Sequence, residues 1–402
     1  MLEYTVAWLE VVSFSHPTNA KQERQKGELM TSKERHEARY QRRKQKREEK
    51  KAKTHPGKYD DIFSFVNLFQ AFYSCKKGVN WKKSVQSYHT NLPINTLTVY
   101  ETLKNRKFKP LGFLEFDIHE RGKKRHIRAL TIKERCIQKA LCNKYLIPLL
   151  SKKLIYDNGA SLEGKGTDFS LRRIKCHLQR HFRKHGTDGY ILQYDFSGYF
   201  DNIDHDILLK MLSKEIEDND IMDLIEKSIR SFGEKGLGLG SQMSQIFAIF
   251  YPNIIDKYFK ETMKVKGYGR YMDDGYMICK DKEEVQKCKE ELYRLCEILN
   301  IKINEKKLKV TKLKNTFVFL KKRITLTETG KVYMKLGKES ITRARRKLKK
   351  LFRLHREGRI KERDIYTSFR SWYGMSKKYD NYYASKNYME LFKNLRKEHM
   401  NG

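Results

Sequence analysis

The segment Gly267–Ile278 reads Gly-Tyr-Gly-Arg-Tyr-Met-Asp-Asp-Gly-Tyr-Met-Ile, and it narrows the folds open to this chain more than any other stretch. Two adjacent carboxylates stand between two apolar, β-prone runs. Successive side chains of a strand point to opposite faces. A tight turn at Asp273-Asp274 relaxes that rule and lets both acids crowd one end of a β-hairpin. Two carboxylates held together repel each other unless a cation sits between them. Their oxygens suit hard cations such as Mg²⁺. An isolated Asp-Asp pair is also an ordinary surface turn, so the idea needs a second carboxylate elsewhere.

Metal-assisted phosphoryl transfer uses carboxylates from more than one strand, because the site must hold both the attacking and the leaving oxygens. Asp195 is the candidate. It ends the short apolar strand expected at Tyr190–Tyr194, where a side chain reaches a site without unwinding the core. Asp201, Asp204 and Asp206 follow closely. Asp204 and Asp206 precede an apolar helical run, so capping or surface roles are expected of them. His205, between them, is expected at the surface of a helix start.

The partner is indicated by charge. Lys and Arg number 86 against 49 Asp and Glu, a formal net charge of +37. Such an excess stores self-repulsion unless a polyanion neutralises it, and nucleic acid is the expected polyanion. An anionic membrane surface is the lesser alternative. No apolar run approaches the roughly 20 residues of a membrane span. The seven Cys are scattered without a Cys-x-x-Cys pair, which points to reduced thiols, no zinc site and a cytoplasmic setting.

The chain's 402 residues suffice for two or three packed subdomains. Residues 1–16 are apolar and carry no assigned role. Residues 21–53 are a charge run, read either as a solvated tail or as an RNA-grasping arm that orders on binding. Helical spacing predicts helices over Asp60–Tyr73, Lys76–His89, Asn95–Asn105 and Lys133–Leu150. Phe113–His119 and Lys124–Leu130 alternate like the strands of a basic hairpin. Further helices are expected at Asp206–Met211, Phe247–Phe259 and Glu283–Leu299, a strand at Thr316–Ile324, and basic helices from Ser340 on. Strand, helix, helix, hairpin, helix, strand is an α+β order.

Tyr271-Met272-Asp273-Asp274, together with Tyr194-Asp195-Phe196-Ser197-Gly198-Tyr199-Phe200, resembles the palm of bacterial reverse transcriptases. The likeness runs in order from about residue 60 to residue 390. It implies a right-hand polymerase fold, with fingers and palm around an antiparallel sheet and an all-α thumb. The implied division is a basic N-terminal extension (1–56), fingers (57–189), palm (190–335) and helical thumb (336–402). In that family the aromatic five residues after the first Asp is a steric gate against the ribonucleotide 2′-OH. Phe200 takes that place, and Phe196 lies within the same motif. Leu239-Gly240-Ser241-Gln242-Met243-Ser244-Gln245 departs from the usual Gln-Gly-x-x-x-Ser-Pro at Leu239 and Gln245. The form found here resembles the enzymes of diversity-generating retroelements. Asn304-Glu305-Lys306-Lys307 resembles an Asn-x-x-Lys motif, which makes Lys307 a candidate to protonate or screen the leaving pyrophosphate. Lys123-Lys124-Arg125 resembles the Lys-x-Arg hairpin that grips the triphosphate. Phe317-Val318-Phe319-Leu320 resembles the primer-grip strand, with Lys321 where the family has Gly. Gly159 to Lys165 has P-loop spacing, but Gly166 stands where Ser or Thr is required. The segment better matches the Ala…Gly-Lys-Gly-Thr of the same retroelement enzymes, with Lys165 toward template or nucleotide.

The resemblance therefore implies an RNA-directed DNA polymerase using Mg²⁺, or Mn²⁺ in its place, held by Asp195, Asp273 and Asp274. Nucleotide contacts are implied for Lys123, Arg125, Phe196, Phe200, Leu239, Gly240 and Gln245. Template or primer contacts are implied for Lys165, Tyr271, Met272, Phe319 and Leu320. The implied partners are an RNA template, a DNA or RNA primer and dNTPs, joined by a structured noncoding RNA or an accessory protein, with no membrane. Three roles compete: a diversity-generating retroelement enzyme, a defence-associated enzyme copying a dedicated noncoding RNA, and a non-catalytic RNA-binding protein. Among the basic C-terminal helices, Tyr366, Trp372, Tyr373, Tyr379, Tyr382, Tyr383 and Tyr388 either stack on bases or pack the thumb.

Overall fold

A computed structural model describes residues 57–120 and 122–400, together with Glu37 and Tyr40–Arg42. Apart from those four, the basic extension over 1–56 lies outside the described residues. The chain runs through α1 (Tyr59–Ile62), α2 (Phe65–Lys76), α3 (Lys83–Thr90) and α4 (Leu92–Lys104) to β1 (Phe113–Glu120) and β2 (Lys123–Leu130). Next come α5 (Ile132–Leu141), α6 (Ile147–Leu150), α7 (Thr167–His185), β3 (Tyr190–Asp195), α8 (His205–Leu212) and α9 (Asn219–Arg230). Then follow α10 (Gln242–Phe250), α11 (Asn253–Lys257), β4 (Gly267–Tyr271), β5 (Asp274–Cys279) and α12 (Lys282–Ile298). Last are β6 (Lys309–Lys312), β7 (Phe317–Phe319), β8 (Lys322–Leu326), β9 (Val332–Leu336), α13 (Lys338–Arg356), α14 (Glu362–Ser376) and α15 (Tyr382–Met400). Two compact units result. The first holds the described residues up to Ile155 and Gly198–Asn253; the second holds Tyr156–Ser197 and the described residues from Ile254 on. No described helix is long and apolar enough to cross a membrane.

In the first unit, Phe65, Leu68, Phe69 and Phe72 form the inward stripe of α2, which packs on α4 and α5. The helix expected over 60–73 is broken at Phe63-Ser64. The buried Asn67 side chain donates to the Ile62 carbonyl and so ends α1. A π-helical turn at Cys142–Leu146 interrupts the helix expected through Leu150. Pro252 breaks the one expected over 247–259, because its ring cannot continue the helical ladder. Asp204 caps α8, accepting from the Asp206 and Ile207 amides at 3.0 Å each. His205 corrects its expectation: it is buried, with Nε2 2.6 Å from the Gly236 carbonyl. Asp206 is exposed and pairs with Arg230.

The second unit is built on an antiparallel sheet in the order β4-β5-β3-β6. Both faces of β3 are covered, which is why it reads as an unbroken apolar run. Ile191 joins a core with Ile174 and Leu178 of α7 and Phe317, Phe319 and Ile324 of a second sheet, β7-β8-β9. Leu192 is equally buried, and α12 packs on β3 and β5. The strand expected over 316–324 is a hairpin, because Leu320 (φ 46°) and Lys321 (φ 63°) both turn left-handed between β7 and β8. Two positive φ values mark the hairpin turn that favours Asn and Gly, which accounts for the family's Gly at position 321. In α13, α14 and α15, Leu348, Phe352, Ile365, Phe369, Tyr388 and Phe392 close one core. Trp372, Tyr373 and Tyr366 pack against it, whereas Tyr382 and Tyr383 are exposed.

Candidate active site

β3 and β5 pair so that Asp195 lies directly opposite Asp274. β4 and β5 close on Tyr271 opposite Asp274, leaving Met272 and Asp273 as a two-residue turn. The Phe196 amide donates to the Asp273 carbonyl at 3.3 Å, tying the turn to the end of β3. Ligand atoms of Asp195, Asp273 and Asp274 consequently lie within 4.8 Å of one another, a grouping found once among the described residues. Asp195 is buried and the other two are half-buried.

Lys307 Nζ donates to Asp195 Oδ2 at 2.5 Å, and Asn304 Nδ2 to Oδ1 at 3.3 Å. The Asn304 amide also donates to the Asp195 carbonyl, at 2.8 Å. The Asn-x-x-Lys segment is thereby folded back on the first carboxylate. Burial, then repulsion from Asp273 and Asp195, pushes the Asp274 carboxyl up to about 7. Burial and the Asp195 charge also raise Asp273, against the pull of Lys307 and Arg270. Burial works against the Lys307 charge, but its bond to Asp195 and the three negative charges outweigh that and hold its ammonium above the usual range. One lysine does not neutralise three clustered acids. An all-oxygen donor set short of positive charge fits a hard divalent cation.

The remaining candidates fall in different places. Phe200, Leu239, Gly240 and Gln245 belong to the first unit. Phe200 is half-buried and its carbonyl accepts the Leu237 amide at 2.7 Å. Leu239 is half-buried, Gln245 is exposed, and Gly240 takes φ 108° with open space where a Cβ would stand. On the first unit's hairpin, strand alternation puts Lys124 and Arg125 on opposite faces. Arg125 is exposed, and the Lys123 side chain lies outside the described residues. In the second unit Phe196 is buried against Tyr194, and Phe319 meets Tyr276 edge-on at 5.0 Å. Leu320 and Tyr271 pack on the same core as Phe319. Lys165 turns inward: its ammonium lies 3.9 Å from the Phe169 ring centre and 4.4 Å from that of Tyr156, and donates to the Tyr156 carbonyl.

The family described as reverse transcriptase (RNA-dependent DNA polymerase) matches residues 104–324. This chain belongs to the reverse transcriptase family. No curated protein matches it by sequence. Among solved structures, an apo telomerase from Candida tropicalis truncated from its C-terminal domain is 16% identical, with TM-score 0.44, over 60% of this chain and 59% of its own. A Candida albicans telomerase in complex with a TWJ fragment of telomeric RNA is 14% identical, with TM-score 0.47, over 73% and 56%. The chain thus spans less than two thirds of the length of these telomerases.

Sequence reasoning about this reverse transcriptase domain passed over Arg270 and Asp256, both fully buried. A signal was present, since a charged residue inside an apolar strand calls for a buried partner. The partner lies 14 residues back on another element, where no local pattern marks it. The Asp157 cluster was also passed over. Arg173, Lys260 and His177 converge on this buried carboxylate at 2.5, 2.8 and 3.5 Å.

Proposed function

We propose that this protein is an RNA-directed DNA polymerase that makes cDNA on an RNA template, with Asp195, Asp273 and Asp274 at its catalytic centre. The observation that carries the reading is the convergence of those three carboxylates in a chain of the reverse transcriptase family. A divalent cation, Mg²⁺ or Mn²⁺, bound there would lower the pKa of the primer 3′-OH and stabilise charge on the α-phosphate and the departing pyrophosphate. Asp195 and Asp274, fixed opposite each other by strand register, would hold such an ion, and Asp273 would complete the set from the turn. Lys307, beside Asp195, screens negative charge at the leaving side. Phe200 is read as the steric gate, and Lys123 and Arg125 as the triphosphate grip. Phe196, Leu239, Gly240 and Gln245 are read as lining the nucleotide. Tyr271, Met272, Phe319 and Leu320 are read along primer and template. We read 57–189 as fingers, 190–335 as palm and 336–402 as thumb. Residues 1–56 are read as an RNA-grasping arm.

The Leu239…Gln245 segment and the Gly-Lys-Gly-Thr at 164–167 favour the diversity-generating retroelement role over a defence role. Losing the polar Gln side chain at 239 removes a contact that would select the correct nucleotide.

Primer extension on an RNA template with Mg²⁺ and dNTPs, beside Asp273→Ala/Asp274→Ala, tests the activity. Synthesis by the parent alone is expected. Failure by both, even with the cognate RNA supplied, would leave the non-catalytic RNA-binding reading. Leu239→Gln is expected to lower misincorporation, on the order of tenfold. An unchanged error rate would remove the basis for that retroelement assignment.

A further inference from the structure

We infer that the buried Arg270–Asp256 pair, continued through Tyr268 to Tyr194, is the device that positions the three carboxylates. The inference rests on the polymerase reading of the site and assigns that site a set of positioning residues.

Arg270 precedes the catalytic turn on β4, and its side chain and that of Asp256 are both 0% exposed. An arginine is placed so deep only where its fork is matched. Nε donates to Asp256 Oδ1 at 2.8 Å, and Nη2 to Oδ2 at 2.5 Å. Nη1 points the other way and donates to the Met272 carbonyl at 2.7 Å. Met272 is the first turn residue, and its φ of 55° is a conformation that glycine usually fills there. The guanidinium therefore holds the carbonyl that precedes Asp273, in a turn whose sequence would not choose that shape alone.

Asp256 carries the link onward. Tyr268 OH donates to Asp256 Oδ1 at 2.6 Å, which spends its only proton. Tyr194 OH, 2.9 Å away, must then donate to Tyr268. Tyr194 precedes Asp195 and pairs in register with Gly275, the residue after Asp274. A Cβ on Gly275 would stand 2.1 Å from the Tyr194 ring, so glycine is what lets that ring lie across β5. One connected set of groups thus ends beside each of the three acids. The backbone of Arg270 is fixed independently, donating to the Asp157 carbonyl at 3.2 Å and accepting from the Gly159 amide at 2.9 Å. The fork then sets the first carbonyl of the turn, while the Phe196 amide holds the second.

The test replaces the ion pair by apolar residues of similar volume, Arg270→Met/Asp256→Leu, a change that buried pairs often tolerate without loss of stability. Three readouts are taken on the full chain: melting temperature, Mn²⁺ binding by electron paramagnetic resonance, and kcat with dNTP KM in primer extension. The expected result is a folded protein with about tenfold weaker Mn²⁺ binding, kcat reduced about 100-fold, and KM within about twofold, because a misplacement near 1 Å costs about that much rate. Arg270→Lys keeps the charge but not the fork, and is expected to recover only part of the loss. A folded double variant with parental Mn²⁺ affinity and kcat would overturn the inference. Should the double variant not fold, Tyr268→Phe takes its place, since it breaks the chain at a single hydroxyl. About threefold weaker Mn²⁺ binding is then expected, and the parental value overturns the inference. A parent that binds Mn²⁺ but extends no primer would sink the polymerase reading alone, because the metal readout still decides the positioning role.

Discussion

Two hairpins of this chain, β1–β2 and β4–β5, have the same plan and opposite energetics. Each closes on a two-residue turn, and each carries acids and bases near that turn. On β1–β2 the charges are matched across the strands in the open. Asp117 lies opposite His126 and accepts from it at 3.0 Å and from Lys124 at 2.9 Å, while Glu115 takes Arg128 at 3.2 Å. Hydrogen bonds from Lys124 and His126 hold the Asp117 carboxyl below its usual range, but water competes for every partner. On β4–β5 the base is fully buried and the acids are left in excess. The exposed hairpin satisfies its charges and gains little; the buried one keeps an unsatisfied negative cluster, which is what a cation site requires.

Substitution can break or sharpen this contrast. The largest effect is expected from Asp195→Asn, which should lower primer extension by at least about 1,000-fold, the scale of several kcal/mol of lost charge stabilisation. Its melting temperature without metal should not fall, because one of three repelling acids is gone. A destabilised variant would mean that Asp195 serves the fold rather than the site.

Asp157→Asn should come next. Removing one partner of a buried charge cluster is expected to cost about 3 kcal/mol at pH 7, read by urea unfolding. Burial pushes the Asp157 carboxyl up, but bonds to His177, Arg173 and Lys260 outweigh it and hold it well below the ordinary range. A depressed carboxyl contributes stability that is present above its unfolded value, 3.8, and lost as pH falls toward the folded one. The gap between parent and variant should therefore be full at pH 7 and narrow below pH 4. A gap constant with pH would mean that packing, not charge, is responsible.

The smallest effect is expected on the exposed hairpin. Asp117→Asn should leave the melting temperature unchanged within error at low and high salt. A salt-dependent loss there would erase the contrast between the two hairpins.

What the sequence disclosed about these regions follows the range of the interactions involved. β3 and β5 were legible because an apolar run ending in Asp, and an Asp-Asp pair between β-prone runs, are local patterns. Their register brings Asp195 opposite Asp274. The helix α7 gave no such signal, since Leu171, Ile174 and Leu178 form a thin stripe among basic residues. The β7–β8 turn was hidden because Leu320 and Lys321 are not turn formers. His205 was misjudged because its burial comes from a distant segment, the one that holds Gly236.

Asn158 forms an isolated parallel bridge to Arg270 of β4. β4 is the outer strand of its sheet, and an outer strand offers open amides and carbonyls to any extended peptide that drifts past. Here the end of that edge nearest the Asp273-Asp274 turn is already occupied by the backbone of residues 157–159. A nascent or crowded copy of this chain therefore meets a closed border beside the clustered carboxylates, and self-association by strand addition is blocked at that end.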